Sequence, residues 1–135
     1  MMLRMRTRNQ QSGFTLIEMI TVIAIIAILL GIAVPIYTTH LLRAREAVLR
    51  TDLASLRNAI DQFTQDKQRA PQSLEDVVAA GYLRALPKDP FTHAADWQAV
   101  QEETLASVDQ TQPGISDVHS SSNQISSEGT AYSSW

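Results

Sequence analysis

From Phe14 to Val34 the chain is almost unbrokenly apolar, FTLIEMITVIAIIAILLGIAV, with Glu18 as its one charged side chain. Coiled as a helix, these 21 residues span about 32 Å at ~1.5 Å per residue, close to the roughly 30 Å hydrocarbon core of a bilayer. The many Ile and Val residues also suit a buried strand, but a strand of this length and apolarity would be unusual in a short chain, so the pattern predicts a membrane helix. Pro35 stands at its exit, where it removes one helical hydrogen bond and predicts a kink without ending the helix. Beyond Pro35 the periodicity resumes. Leu42, Leu49, Leu53, Leu56, Ile60 and Phe63 recur at helical spacing, and Arg43, Arg45, Glu46, Arg50, Asp52, Arg57 and Asp61 occupy positions between them. One amphipathic helix running to about Asp66 follows, and Phe14 to Asp66 would form a rod of roughly 80 Å. The stripe predicts packing on the protein's own small sheet; a coiled coil with a second chain is the other use of such a pattern, and the stretch before Leu49 has no evident internal partner.

The remainder reads as a small head. Asp66 to Pro71 is a polar break, Ser73-Leu-Glu-Asp76 opens a short helix as an N-cap with an acid three residues on, and Gly81 closes it. Leu86-Pro-Lys-Asp-Pro90 predicts a rigid loop, because two prolines fix φ and remove donors. Ala94 to Glu102 and Gly114 to His119 predict two short strands, which makes the fold class α+β: a long helix packed on a small antiparallel sheet. The stretch Ser107 to Trp135 contains nine serines and by composition alone would be disordered, but Tyr132 and Trp135 predict that it is pinned back.

Composition narrows the picture further. The 135 residues leave room for one small domain and exclude a multidomain enzyme. The formal net charge of −3 is a gradient: residues 1–12 carry Arg4, Arg6 and Arg8 with no acid, whereas residues 101–135 carry five acids and no Lys or Arg. That balance gives no support to nucleic-acid binding. There is no cysteine, so a disulfide framework, a thiolate zinc site and a cysteine nucleophile are all excluded. The three arginines retain the N-terminus in the cytoplasm and place everything after Pro35 across the membrane. An ordinary secretory signal would be cut after Gly31-Ile-Ala-Val-Pro35, where small residues occur. Against that reading stands Glu18, a carboxylate near the start of a membrane helix, which is costly there and needs a partner.

A short basic leader, Gly13-Phe14-Thr15-Leu16-Ile17-Glu18 and an apolar helix with Pro35 near its end together resemble the prepilin signature of type IV pilins and type II secretion pseudopilins. In that family a prepilin peptidase cuts after the Gly on the cytoplasmic side and methylates the new amine. The resemblance therefore implies removal of residues 1–13, an N-methylated Phe14, and an apolar helix that is retained. The head continues the likeness. Ala80-Gly81-Tyr82-Leu83, Leu86-Pro87-Lys88-Asp89-Pro90, Asp117-Val118-His119-Ser120 and Tyr132-Ser-Ser-Trp135 resemble, in order, the major-pseudopilin branch of type II secretion. The chain departs from that branch at Phe91-Thr92, where Trp and Gly are common, and in the loop before Pro71, which lacks the usual Gly and Tyr.

The resemblance implies a type IV pilin-like fold and a division into leader (1–13), transmembrane and assembly helix (14–35), amphipathic periplasmic half (36–66) and head (67–135). It implies a non-enzymatic subunit of the inner membrane, single-pass, with its head in the periplasm. Extraction into a homopolymeric pseudopilus would involve the prepilin peptidase, an inner-membrane assembly platform, minor pseudopilins and membrane lipid. Phe14, Glu18 and Pro35 would act in assembly. It further implies a calcium ion in the last loop, held by Asp117 with neutral oxygens from Ser120 and Asn123; Asn123 or Gln124 stands where a second acid is expected, and a loop that Asp117 organises by side-chain hydrogen bonds alone is the other reading. A type IV pilin of an adhesion, motility or DNA-uptake fibre shares the first third, and a membrane-anchored binding domain that never polymerises is the reading from another class. Asp117, His119 and Ser120 are the residue types of a hydrolase relay, but a catalytic set needs a base that reaches the nucleophile in a cleft, and alternation puts Asp117 and His119 on one strand face and Val118 on the other. His40 and His93 lack metal-ligand spacing and predict solvated surface. Arg43 and Arg45 predict solvated surface as well, or contact with lipid head groups or an acidic neighbour such as Asp52.

Overall fold

The computed structural model describes residues 13–102 and 113–135. The basic leader ahead of Gly13 and the segment joining the two strands lie outside them. The chain divides into two compact units between Thr38 and Thr39.

Helix α1 is Leu16–Lys67, 52 residues. Thr15 caps its start: its hydroxyl accepts the Glu18 N–H at 3.2 Å, and its carbonyl accepts the Met19 N–H. Within the first unit the helix is apolar, and each of its side chains is exposed, Leu16 at 81% and Ile28 at 66%. Helical structure continues through Pro35, as predicted. Its most apolar 18-residue window has a mean hydropathy of 2.9 and none of it is buried, so the helix is long and apolar enough to cross a membrane.

The second unit owns the core. Leu49, Leu53, Leu56, Ile60 and Phe63 are buried along one face of α1, as their spacing predicts, while Leu42 is half-buried. They pack with Leu74, Val77, Trp97, Ile115, Val118 and Tyr132, so the stripe serves the head's own sheet and loops. Helix α2, Leu74–Ala79, has the predicted capping box: the Ser73 hydroxyl accepts the Asp76 N–H, and the Asp76 carboxylate accepts the Ser73 N–H. It ends with Gly81 at φ +88°, whose N–H reaches the Val78 carbonyl while that of Tyr82 reaches Val77, a left-handed closure that disfavours a side chain at position 81.

Strands β1 (Gln98–Glu102) and β2 (Gly114–His119) pair antiparallel. A bulge falls between Val100 and Gln101, because Val100 faces Asp117 and Gln101 faces Ile115. The strand predicted from Ala94 starts only at Gln98. Its first residues are spent elsewhere: the Ala94 carbonyl accepts the Asp89 N–H at 2.9 Å, and the Asp96 carboxylate accepts the Thr92 hydroxyl. From Ser120 to Trp135 the serine-rich end is pinned to the head. Tyr132, fully buried, stacks on Phe91 with ring centroids 4.0 Å apart, and a 3₁₀ turn, Tyr132–Ser134, follows.

Candidate functional sites

Two groups of residues carry chemistry. The first is the head of α1. Gly13 and Phe14 precede the cap residue Thr15 as non-helical chain, Phe14 is 79% exposed, and nothing lies near Gly13. Glu18 sits in the first helical turn, its side chain exposed among Leu16, Ile17 and Met19. Positions 13–14 are open, non-helical chain, and the carboxylate one turn into the apolar helix is a charge to which residues 13–38 offer no cationic side chain.

The second group joins the loop after β2 to α1. Glu46, Arg50, Leu53 and Arg57 recur at helical spacing and so share one face of α1 beneath that loop. Glu46 is 6% exposed. Its carboxylate accepts the Ser127 N–H at 2.6 Å, the Ser127 hydroxyl at 2.5 Å and the Tyr132 hydroxyl at 2.9 Å. Burial pushes its pKa up, but those hydrogen bonds and the Arg50 charge outweigh it and hold the carboxyl below its ordinary value. The same arrangement, burial first and Glu46 second, raises the Tyr132 hydroxyl to about 12. One turn on, Arg50 pairs with Glu128 at 2.6 Å and lies 4.4 Å over the Trp135 ring.

Arg57 fans across three acceptors: Asp117 Oδ1 at 2.6 Å, and the carbonyls of Val118 and Trp135 at 3.0 Å each. Asp117 also accepts the Val118 N–H at 2.7 Å. Burial raises the Asp117 pKa, and the Arg57 hydrogen bond, that N–H and the neighbouring charges bring it below the ordinary value. An open groove of about 460 Å³ runs over these residues, lined by Arg50, Leu53, Arg57, Glu128 and Trp135, and both arginines lining it are already paired.

Asp89 anchors the same loop from another side. It is fully buried, its Oδ1 accepts the N–H groups of Phe91 (2.7 Å) and Thr92, and its Oδ2 accepts the Ser120 hydroxyl. Ser120 thus ties the loop after β2 to the loop before β1. Asp52, half-buried, has its pKa raised by burial and by the Asp89 charge.

The residues predicted for calcium are not brought together as a ligand set. Asp117 faces Arg57, Ser120 faces Asp89, and Asn123 is exposed. Among the described residues no three acidic or histidine side chains cluster as metal ligands. This donor set does not fit a hard dication, which takes six to eight oxygens with carboxylates among them. The Asp117–His119–Ser120 relay does not form either. His119 does share a strand face with Asp117, 3.6 Å away, but its other ring nitrogen contacts the Trp135 carbonyl, and the Ser120 hydroxyl belongs to Asp89. His40, His93, Arg43 and Arg45 are exposed.

The helical periodicity set Glu46, Arg50 and Arg57 between the apolar positions without partners, and Asp89 had no role beyond its loop. The 46-50-53-57 spacing was the available signal for the first three. For Asp89 it was an Asp two residues before an N–H it can cap.

Comparison with known proteins covers both groups. The prokaryotic N-terminal methylation motif matches residues 8–34. The chain is 30% identical over 133 residues to type II secretion system core protein G of Klebsiella pneumoniae, covering 87% of this chain and 94% of that one. The Vibrio cholerae protein of the same name is 30% identical, covering 78% and 81%, and that of Pseudomonas aeruginosa 34% identical, covering 62% and 70%. No solved structure matches the chain significantly.

Proposed function

Since this chain belongs to the type II secretion core protein G family, the major pseudopilins, we propose that it is a structural subunit of a secretion pseudopilus that polymerises through the N-terminal part of α1 to drive export across the outer membrane. The observation that carries this reading is the pairing of an open Gly13-Phe14 junction, inside the matched methylation motif, with a helix of full apolar exposure directly after it. A soluble head does not carry such a surface in water, so it resides first in lipid and then among copies of itself.

The order of events follows from the residues. The arginine-bearing leader holds the N-terminus in the cytoplasm and the head emerges in the periplasm. Prepilin peptidase cuts between Gly13 and Phe14 and leaves a methylated, cationic amine. Glu18 is uncompensated in a lone subunit, and the amine of a neighbouring copy supplies the missing charge, which makes assembly favour a fixed stagger. Within one chain Phe14 and Glu18 lie one turn apart and the amine is drawn to interfacial water, so the contact between copies is the better one. The assembly platform, minor pseudopilins and lipid are the partners this reading requires.

Intact-mass measurement of the protein from membranes tests the first step. The expected mass is that of a chain beginning at Phe14 with one added methyl group, and Gly13 replaced by a bulky residue leaves the protein inserted but uncut. A mature chain beginning near Ala33 or Val34 would identify an ordinary signal peptide instead.

A further inference from the structure

Strand β2 and the loop after it contain two acids among the described residues, Asp117 in the strand and Glu128 in the loop, and each meets an arginine of α1: Asp117 meets Arg57 and Glu128 meets Arg50, both at 2.6 Å. In the other direction, the one buried acid of α1, Glu46, receives three donors from Ser127 and Tyr132. From this reciprocal pattern we infer that the head closes its last loop on its own charges, the Glu46 carboxylate and the Arg57 and Arg50 guanidinium groups, and holds that loop without a divalent cation.

Charge and donor supply both argue for this. A calcium ion organises a loop by neutralising its carboxylates and collecting its carbonyl oxygens at 2.3–2.6 Å. Here the carboxylates are already neutralised, and Arg57 itself collects two carbonyls, Val118 and Trp135, that a cation would otherwise recruit. A dication placed on Asp117 would sit beside the guanidinium 2.6 Å from the same carboxylate. Arg57 would then have to leave and strand three acceptors at once, a cost that a single weak carboxylate–metal contact does not offset. The hydroxyl of Ser120 is engaged on both sides, as donor to the buried Asp89 and as acceptor of the Ser122 N–H at 3.1 Å, and Asn123 offers only a neutral, exposed amide. The guanidinium's planar fork suits this substitution, since it delivers several donors in fixed directions where a metal would have collected oxygens.

The test uses the full chain in detergent micelles, with calcium chloride at millimolar concentration in one arm and a calcium chelator in the other. Aromatic circular dichroism follows melting, and limited proteolysis reads protection of residues 120–135. The expected result is the same melting temperature and the same protection in both arms, with cleavage of the loop about tenfold faster in Glu46→Gln and in Arg57→Gln whether or not calcium is present. A melting temperature that climbs with the logarithm of free calcium, and stops climbing in Asp117→Asn, would overturn the inference. So would unchanged loop protection in both latch variants under chelator. If a variant fails to fold, the wild-type comparison alone still decides.

Discussion

The two units use the same element, α-helix, under opposite conditions. From Leu49 to Phe63 the apolar face of α1 is buried to a few per cent against the sheet and loops of the same chain, whereas from Leu16 to Val34 no apolar side chain is buried at all. The first stretch has polar residues between its apolar positions, and the second has almost none. An amphipathic stripe announces a partner on one side, supplied here by the fold. A helix apolar all round announces a partner on every side, and a chain of this size cannot supply it. Stability of the head is therefore an intramolecular matter, while the apolar surface of the first unit calls for a partner from outside it.

That contrast is broken or sharpened most strongly by removing one leucine from each unit. Leu49→Ala should destabilise the head by about 2–5 kcal/mol, because the residue is fully buried and leaves a cavity. Leu29→Ala, at a 61% exposed position, should leave head unfolding unchanged in the same detergent. A comparable loss from both would mean that the first unit is part of the folding unit. A smaller effect follows at the latch: Glu46→Gln should cost about 1–3 kcal/mol in thermal or denaturant unfolding, since it weakens three hydrogen bonds in a buried setting.

Protonation sharpens the comparison next. Glu46 and Asp117 are both held below their ordinary values, so the stability they contribute is full above the unfolded-state values of about 4 and is lost as pH falls through the lower folded-state values. Asp52, shifted upward, works in the opposite sense and partly masks the loss. At the other end Tyr132, raised to about 12, contributes stability that is full below its unfolded value of about 10 and is lost as pH rises through 12. Melting curves of the wild type and Glu46→Gln across acid pH should converge, and parallel curves would dissociate the acid response from Glu46. The smallest effect belongs to Arg50→Ala. Its ion pair with Glu128 is more than half exposed on both sides, so about 1 kcal/mol or less should be lost, and added salt should shrink the difference.

Local order along the chain was largely legible. The Leu49 to Phe63 stripe, the Ser73 capping box, the Gly81 closure and the second strand each depend on neighbours within a few residues, and sequence spacing reports such neighbours directly. The first strand began four residues later than predicted because the Ala94 carbonyl is claimed by Asp89, a choice that composition does not reveal. The latch was less legible for the same kind of reason. Glu46 and Tyr132 are 86 positions apart, and Arg57 and Asp117 are 60 apart. A charged residue on a helix face reads as solvated until the segment that covers it is known. Asp117, to which the resemblance points, has its carboxylate engaged by an arginine that lies far away in sequence.

The claim that the first unit finds its missing partners in other copies of the chain is tested most directly by electron microscopy of filaments sheared from cells overexpressing either the wild type or Glu18→Val. Membrane insertion and cleavage at Gly13 are measured on the same cells, so a failure to reach the membrane is separated from a failure to assemble. Because removing one member of a buried charge pair leaves the other uncompensated at a cost of ~3–5 kcal/mol, the variant should insert and be cut normally yet yield no filaments. Abundant, normal filaments from Glu18→Val would contradict the account.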